Sequence, residues 1–436
     1  MDMGQGCIQC LKGKKMTDPQ GQGAAVREQG ATAGCPVSLT VMRDREPWSY
    51  YDSLRAGGPL VWDEVMNGWV ILDYEHCLKV ESDEITFRNV YADAAPEVIE
   101  VKGGRSNITV TSGEEHGRLR RFHQKLFVPP LLESYRKNHV RPIISFLINR
   151  IAARGQADLT ADLGDQIPPR VIAALLGMPW QDDELIARIL HLHDDIMAYL
   201  GNRFVGSEAT AKALAVSQEI NEMLLPFIRS RRERPEDDFI SRVWTEAPRE
   251  YGDLDESTVL GICRELFLGG ADTTGHGIAN ALHLFLTNGK LRKAVELERS
   301  SAISGLIEES MRLFGSVMYR FRVANQDITL GNQLVRKDEV LILLHSAANR
   351  DPEHYGCPHE ADLTRRPIND HLAFNKGPRS CVGMGLARIE MRDTLEAVLD
   401  RLPGVRLDER AAKPSFAGLF LRSYRPLNVV WDVPGS

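Results

Sequence analysis

From about residue 40 onward, apolar positions recur mainly at helical spacing. Ile143 to Ala153 and Ala211 to Arg231 read as amphipathic helices, with loops carrying Gly-Met-Pro and Arg-Pro-Glu-Asp-Asp around them. Another helix opens at Glu115-His116 and continues through Phe127 to Pro129. Between Trp48 and Phe87 short runs such as Gly68-Trp69-Val70-Ile71-Leu72 break the helical rhythm and predict a small sheet. The longest predicted helix runs from Ser257 to Asn288, on the order of 45 Å at the helical rise per residue. Val259, Ile262, Leu266, Phe267, Ala279, Leu282 and Phe285 make it apolar nearly all round, so it should be buried. A last helix carries Met391, Leu395, Val398 and Leu402 and stops at Pro403.

The pattern predicts a mainly α fold with a minor β region. Residues 1–35 are rich in Gly, Gln and Lys and lack periodic apolar positions, which reads as a disordered tail, with Met16 a candidate true start. No linker-like shift of composition interrupts residues 36–436, so one domain is expected there. A net charge of -7 gives no electrostatic case for nucleic acid. No apolar stretch approaches the roughly 18 residues of a membrane span, and the N-terminus lacks the apolar centre of a signal peptide. A cytoplasmic protein is expected. Seven cysteines, an odd number, argue for reduced thiols. Cys7-Ile8-Gln9-Cys10 has no second pair at zinc-finger spacing and reads as incidental. His191, His193, Asp194 and Asp195 read as one polar helical surface rather than a metal cluster.

Three stretches carry costs that stability does not explain. Gly269-Gly270-Ala271-Asp272-Thr273-Thr274 lies in the middle of the long apolar helix, where each glycine costs about 1 kcal/mol relative to alanine. A buried acid costs more. Glu309-Ser310-Met311-Arg312 places opposite charges three apart, where they meet on one helix face. The third stretch runs from Phe374 to Arg388, a glycine- and proline-bearing loop with Cys381 just before a helix N-terminus. The helix dipole and nearby Arg379 should favour the thiolate. Gly377, Gly383 and Gly385 let the backbone bend and let a flat body lie against it, while Asn375 tolerates a left-handed conformation.

The run Phe374-x-x-Gly377-x-Arg379-x-Cys381-x-Gly383 resembles the haem-binding loop of the cytochrome P450 family, the haem-thiolate monooxygenases. The resemblance spans about residues 40–432 through five motifs in the right order. It departs at Asn375, where the family usually has glycine, at Arg379, where bacterial members more often have histidine, and in lacking the usual proline after Arg312. It implies a helical prism around one haem b, with Cys381 as axial iron ligand. Phe374, Gly383, His116, Arg120, Arg322 and Arg379 would complete the haem site. Asp272 and Thr273 match the acid-threonine pair that handles protons and hydrogen-bonds dioxygen, and Gly269 stands where the family often has alanine. Glu309 and Arg312 would join Arg365 in a buried ion network behind the haem loop.

By the same resemblance Leu266, Gly269, Gly270, Thr273, Val317, Met318, Leu419 and Phe420 line the substrate pocket, and about Ile186 to Arg231 forms a mobile lid over it. The mostly apolar pocket suggests a terpenoid, steroid, fatty acyl or aromatic substrate. Arg118, Arg121 and Lys125, on the helix face opposite His116 and Arg120, form a candidate dock for a ferredoxin-type or flavodoxin-type electron donor. Two alternatives stand beside O2-dependent hydroxylation: a peroxide-driven peroxygenase, which would normally replace the acid-threonine pair, and a non-catalytic gas-binding protein, which needs no proton relay.

Overall fold

The computed structural model describes residues 37–202 and 204–433. The expected N-terminal tail, Met16 and the Cys7/Cys10 pair lie outside the described residues. The described chain is predominantly helical, with one five-stranded sheet and three smaller strand groups. In the large sheet the order is Leu60–Asp63, Gly68–Ile71, Val340–Leu343, Arg320–Ala324 and Phe87–Asn89. The middle pair, Gly68–Ile71 with Val340–Leu343, is parallel, and the other pairings are antiparallel.

Alternation along these strands explains why both faces are covered. Val70, Ile342 and Val323 point into one apolar cluster, while Trp69, Ile71, Leu341 and Leu343 point into another. The largest cluster lies among the helices and includes Ile143, Leu147 and Ile148 of Arg141–Ile151, Phe267 of Glu256–Gly270 and Leu395 of Met384–Arg401.

The long apolar helix is not continuous. It consists of Glu256–Gly270 and Thr273–Thr287, separated at Ala271 and Asp272, where Asp272 has φ -129°. The Thr273 hydroxyl donates to the Gly269 carbonyl at 3.0 Å, taking the acceptor that the Thr273 amide would use in an unbroken helix. Gly270 has a packing reason as well: a Cβ there would meet Ile172 Cδ1 at 2.5 Å. The second segment ends at Thr287 because Asn288 caps the next helix, its side chain accepting from the amides of Lys290 and Leu291.

Candidate functional site

The loop of Cys381 forms because its special residues adopt the conformations their chemistry allows. Asn375 has φ 55° and Gly377 φ 66°. A short 3-10 turn follows at Gly377–Arg379, the Cys381 amide donates to the Phe374 carbonyl at 2.8 Å, and the helix Met384–Arg401 begins three residues after Cys381. Gly385 is small because Leu132 packs on it; a Cβ would lie 2.6 Å from Leu132 Cδ1.

Cys381 lines an internal cavity together with Phe374, Arg379, Gly383, His116, Arg120 and Arg322. From the other side Leu266, Gly269, Gly270, Thr273, Val317 and Phe420 reach the same cavity. Nothing lies within 4 Å of where a Gly269 Cβ would stand, so this glycine leaves open space. Two expected pocket residues do not reach it. Met318 is 1% exposed and sits in the sheet-side core, because strand-like backbone turns it away from the face Val317 presents. Leu419 lines a second cavity instead.

The expected thiolate preference is not built into the loop itself. Burial pushes the Cys381 thiol up, ahead of the lowering effects of the Gly383 amide and of Arg320, Arg120 and Arg388. Arg379 is absent from that group because it turns away, pairing with Glu84 and donating to the Thr111 carbonyl at 2.5 Å. Arg120 donates to the Ser380 carbonyl, and at 3.0 Å to the Ser380 hydroxyl. His116 lies 3.8 Å from Glu84, and burial together with Arg379 lowers it to about 4, so its imidazole is neutral at pH 7. Arg322 is lowered to about 10 by burial, and its Nε is buried without a hydrogen-bond partner.

This set suits a haem. A bound iron would favour the Cys381 thiolate, which the protein's own surroundings hold toward the protonated form. Three guanidiniums and an imidazole at one wall match two propionates, and the orphaned Arg322 Nε is a donor in need of an acceptor.

Asp272 and Thr273 are adjacent in sequence but face different spaces. Thr273 lines the cavity of Cys381, whereas Asp272 lines the second cavity with Asp165, Asp194, His276 and Arg425. His276 Nε2 is 3.3 Å from Asp272 Oδ1. Burial raises Asp165 and Asp194 and lowers His276. The polar-surface reading holds for His191, 3.8 Å from Asp195, but not for His193, which is fully buried with Nε2 3.1 Å from the Leu268 carbonyl.

The ion network assembles as expected. Arg312 binds Glu309 through two contacts of 2.8 Å, both residues are 1% exposed, and Arg365 Nε lies 3.3 Å from Glu309 Oε1. Arg312 also donates to the carbonyls of Asn349, Pro358 and Glu360, which ties the helix Arg299–Phe314 to the segment leading to the Cys381 loop. The loop after Arg312 is held without its proline: the Arg422 amide donates to the Ser316 carbonyl at 2.9 Å, and the Met318 amide to the Phe420 carbonyl at 3.0 Å.

On the helix Gly113–Lys125, His116 is buried and Arg120 half-buried, while Arg118, Arg121 and Lys125 are exposed. Arg121 and Lys125 both stand 3.4 Å from Glu250. Among the described residues no helix is long and apolar enough to cross a membrane. Sequence reading missed the polar side of the main cavity: Lys102, Glu265, Arg320 and His123 also line it. Glu265 lies one helical turn before Gly269, and Arg320 shares a strand face with Arg322, so both were accessible to periodicity; Lys102 belongs to no periodic element near the motifs.

The sequence model of the family described as Cytochrome P450 matches residues 69–425. The mycinamicin IV hydroxylase/epoxidase of Micromonospora griseorubida is 33% identical over 338 residues, covering 76% of this chain and 80% of that protein. The C-19 steroid 1alpha-hydroxylase of Sorangium cellulosum is 30% identical over 364 residues, covering 82% and 87%. The crystal structure of P450BioI in complex with hexadec-9Z-enoic acid ligated acyl carrier protein superposes with a TM-score of 0.77 at 23% identity, over 89% of this chain and 98% of that one, a likeness of fold. With Cys381 and the broken apolar helix lining one cavity, the chain belongs to the cytochrome P450 family and is a haem-thiolate monooxygenase of that family.

Proposed function

We propose that the protein binds haem b through Cys381 and uses it to hydroxylate a hydrophobic small molecule, with electrons supplied by a separate ferredoxin-type or flavodoxin-type protein. The observation that carries this reading is that Cys381 and Thr273 line one cavity from two unrelated parts of the chain. Arg120, Arg322, Arg379 and the neutral His116 would hold the propionates, with Phe374 and Gly383 against the ring. When bound, haem supplies activation of dioxygen and insertion of one oxygen atom into a C–H bond.

The chain's own residues position and supply the rest. Leu266, Val317 and Phe420 hold the apolar body of the substrate and exclude water. Asp272, facing the second cavity beside His276, takes protons from the solvent side and passes them toward Thr273 Oγ1 on the main cavity. The break in the helix lets the two side chains serve opposite faces. Glu309, Arg312 and Arg365 hold the Cys381 loop in place. The stretch from about Ile186 to Arg231 serves as the lid over the substrate, with Met197 and Leu200 of the helix Asp183–Leu200 lining the main cavity. The exposed cluster of Arg118, Arg121 and Lys125 docks the electron donor, and the protein works in the cytoplasm.

The relatives hydroxylate a mycinamicin and a C-19 steroid by their names, which supports a medium or large apolar substrate. The test is a titration of the purified haem protein against terpenoids, steroids, fatty acids and aromatic compounds while the ferric Soret band is followed. A low-spin to high-spin shift with one class supports the reading; a folded, haem-supplied protein with no thiolate spectrum refutes it.

A further inference from the structure

The main cavity carries more positive charge than the haem-thiolate reading uses. Arg120, Arg322 and Arg379 face two propionates, and Glu84 already pairs with Arg379. Two more cations, Lys102 and Arg320, line the same cavity. Lys102 Nζ stands 4.8 Å over the ring of Tyr91 and has no carboxylate within ion-pair distance among the described residues. Arg320 is held at its base by one long hydrogen bond from Nε to Asn375 Oδ1, 3.4 Å, and by the Phe420 ring 5.6 Å away. Its two terminal nitrogens have no acceptor among the described residues. The two cations also disfavour each other: burial, and after it the charge of Arg320, lowers Lys102 to about 8.

Like charges are not gathered in a desolvated cavity unless an anion joins them. Glu265 supplies part of that anion, but it is spent on the Ile108 amide at 3.1 Å and lies 3.6 Å from His123. Neither Arg320 nor Lys102 has a carboxylate within ion-pair distance among the described residues, and a guanidinium with both terminal nitrogens free matches a planar carboxylate in two parallel hydrogen bonds.

We propose that Arg320 and Lys102 form a subsite for one carboxylate, so that the enzyme acts on hydrophobic carboxylic acids. The proposal rests on the haem-thiolate reading and narrows its substrate class. The carboxylate end is fixed at Arg320, and the apolar body lies along Leu266, Val317 and Phe420.

The test uses the haem-loaded protein and two series of compounds: decanoic acid, its methyl ester and 1-decanol, and naphthalene-2-carboxylic acid with its methyl ester and alcohol. Binding is followed by the ferric Soret shift and, independently, by calorimetry. In at least one series the acid should bind tenfold or more tighter than its ester and alcohol. Arg320→Gln and, separately, Lys102→Met should each shrink that preference at least fivefold and change ester affinity less than twofold. Equal affinity of acid, ester and alcohol in both series overturns the subsite. Haem content is measured on each variant: an Arg320→Gln protein that loses haem yet keeps the acid preference assigns Arg320 to the cofactor and also overturns it. An absent thiolate spectrum refutes the haem-thiolate reading, while the calorimetric preference still decides the subsite.

Discussion

The hydroxyl of Thr273 donates to the carbonyl of Gly269 at 3.0 Å, at the point where the long helix breaks. One side chain thus replaces one rung of the helix and leaves Asp272 and Thr273 on different cavities. This division of faces is what a proton path needs: a group open to the solvent side and a group open to the reacting side, one peptide apart.

Thr273→Ala removes the hydroxyl but little volume. Substrate affinity by Soret titration should change less than twofold. Product formed per electron pair consumed should fall several-fold, the remainder appearing as hydrogen peroxide. Unchanged coupling would contradict the proton role.

The two glycines before the break should answer differently to alanine. At Gly270 a Cβ meets Ile172 Cδ1 at 2.5 Å, so Gly270→Ala should destabilise by about 1–3 kcal/mol through overpacking. At Gly269 a Cβ meets nothing within 4 Å, so Gly269→Ala should leave stability equal or up to about 1 kcal/mol higher while narrowing the cavity. Urea denaturation of the two variants checks the order.

Breaking the pair of Glu309 and Arg312 leaves a charge buried without its partner. Glu309→Gln should cost about 3–5 kcal/mol and release haem on mild denaturation, because the Arg312 side chain also holds the backbone of residues 349, 358 and 360. Arg365→Gln, on the more open side of Glu309, should cost less. Haem retention against urea, read at the Soret band, measures both.

Burial raises Glu265 to about 7 from an ordinary value of 4.5. An acid raised on folding holds its proton longer in the folded state, so it favours folding below the unfolded value and loses that advantage as pH rises. Stability should therefore fall between about pH 4.5 and 7 by up to about 3 kcal/mol from this group. Glu265→Gln keeps an acceptor for the Ile108 amide and removes the titration, so its Tm should exceed the wild type's at pH 8 and not at pH 5. Parallel Tm curves for the two proteins would contradict the assignment.

What was legible in the sequence was local. The Cys381 loop could be read because Asn375 and Gly377 carry backbone angles that few residues accept. The cost of two glycines, an acid and two threonines inside an apolar helix marked the site of the break, though the periodicity on either side made the helix look continuous. Burial and partners were less visible. Telling Val317 from Met318 requires the phase of a strand-like segment, and separating Leu419 from Phe420 requires the path of a loop. Arg379 was expected beside the thiolate because it lies two residues away, but Glu84, nearly 300 positions distant, takes it. The cationic wall of Lys102 and Arg320 arises only when the loop after the helix Pro96–Val101 and the strand Arg320–Ala324 meet at one cavity.

The most direct test of the central claim is the carbon monoxide difference spectrum of the reduced, haem-loaded protein beside its Cys381→Ser and Cys381→His variants. The account predicts the long-wavelength Soret band of thiolate ligation in the wild type, its loss in Cys381→Ser, and a shift to the shorter-wavelength imidazole position in Cys381→His. A wild-type spectrum without the thiolate band, or a thiolate band that survives in both variants, would contradict it.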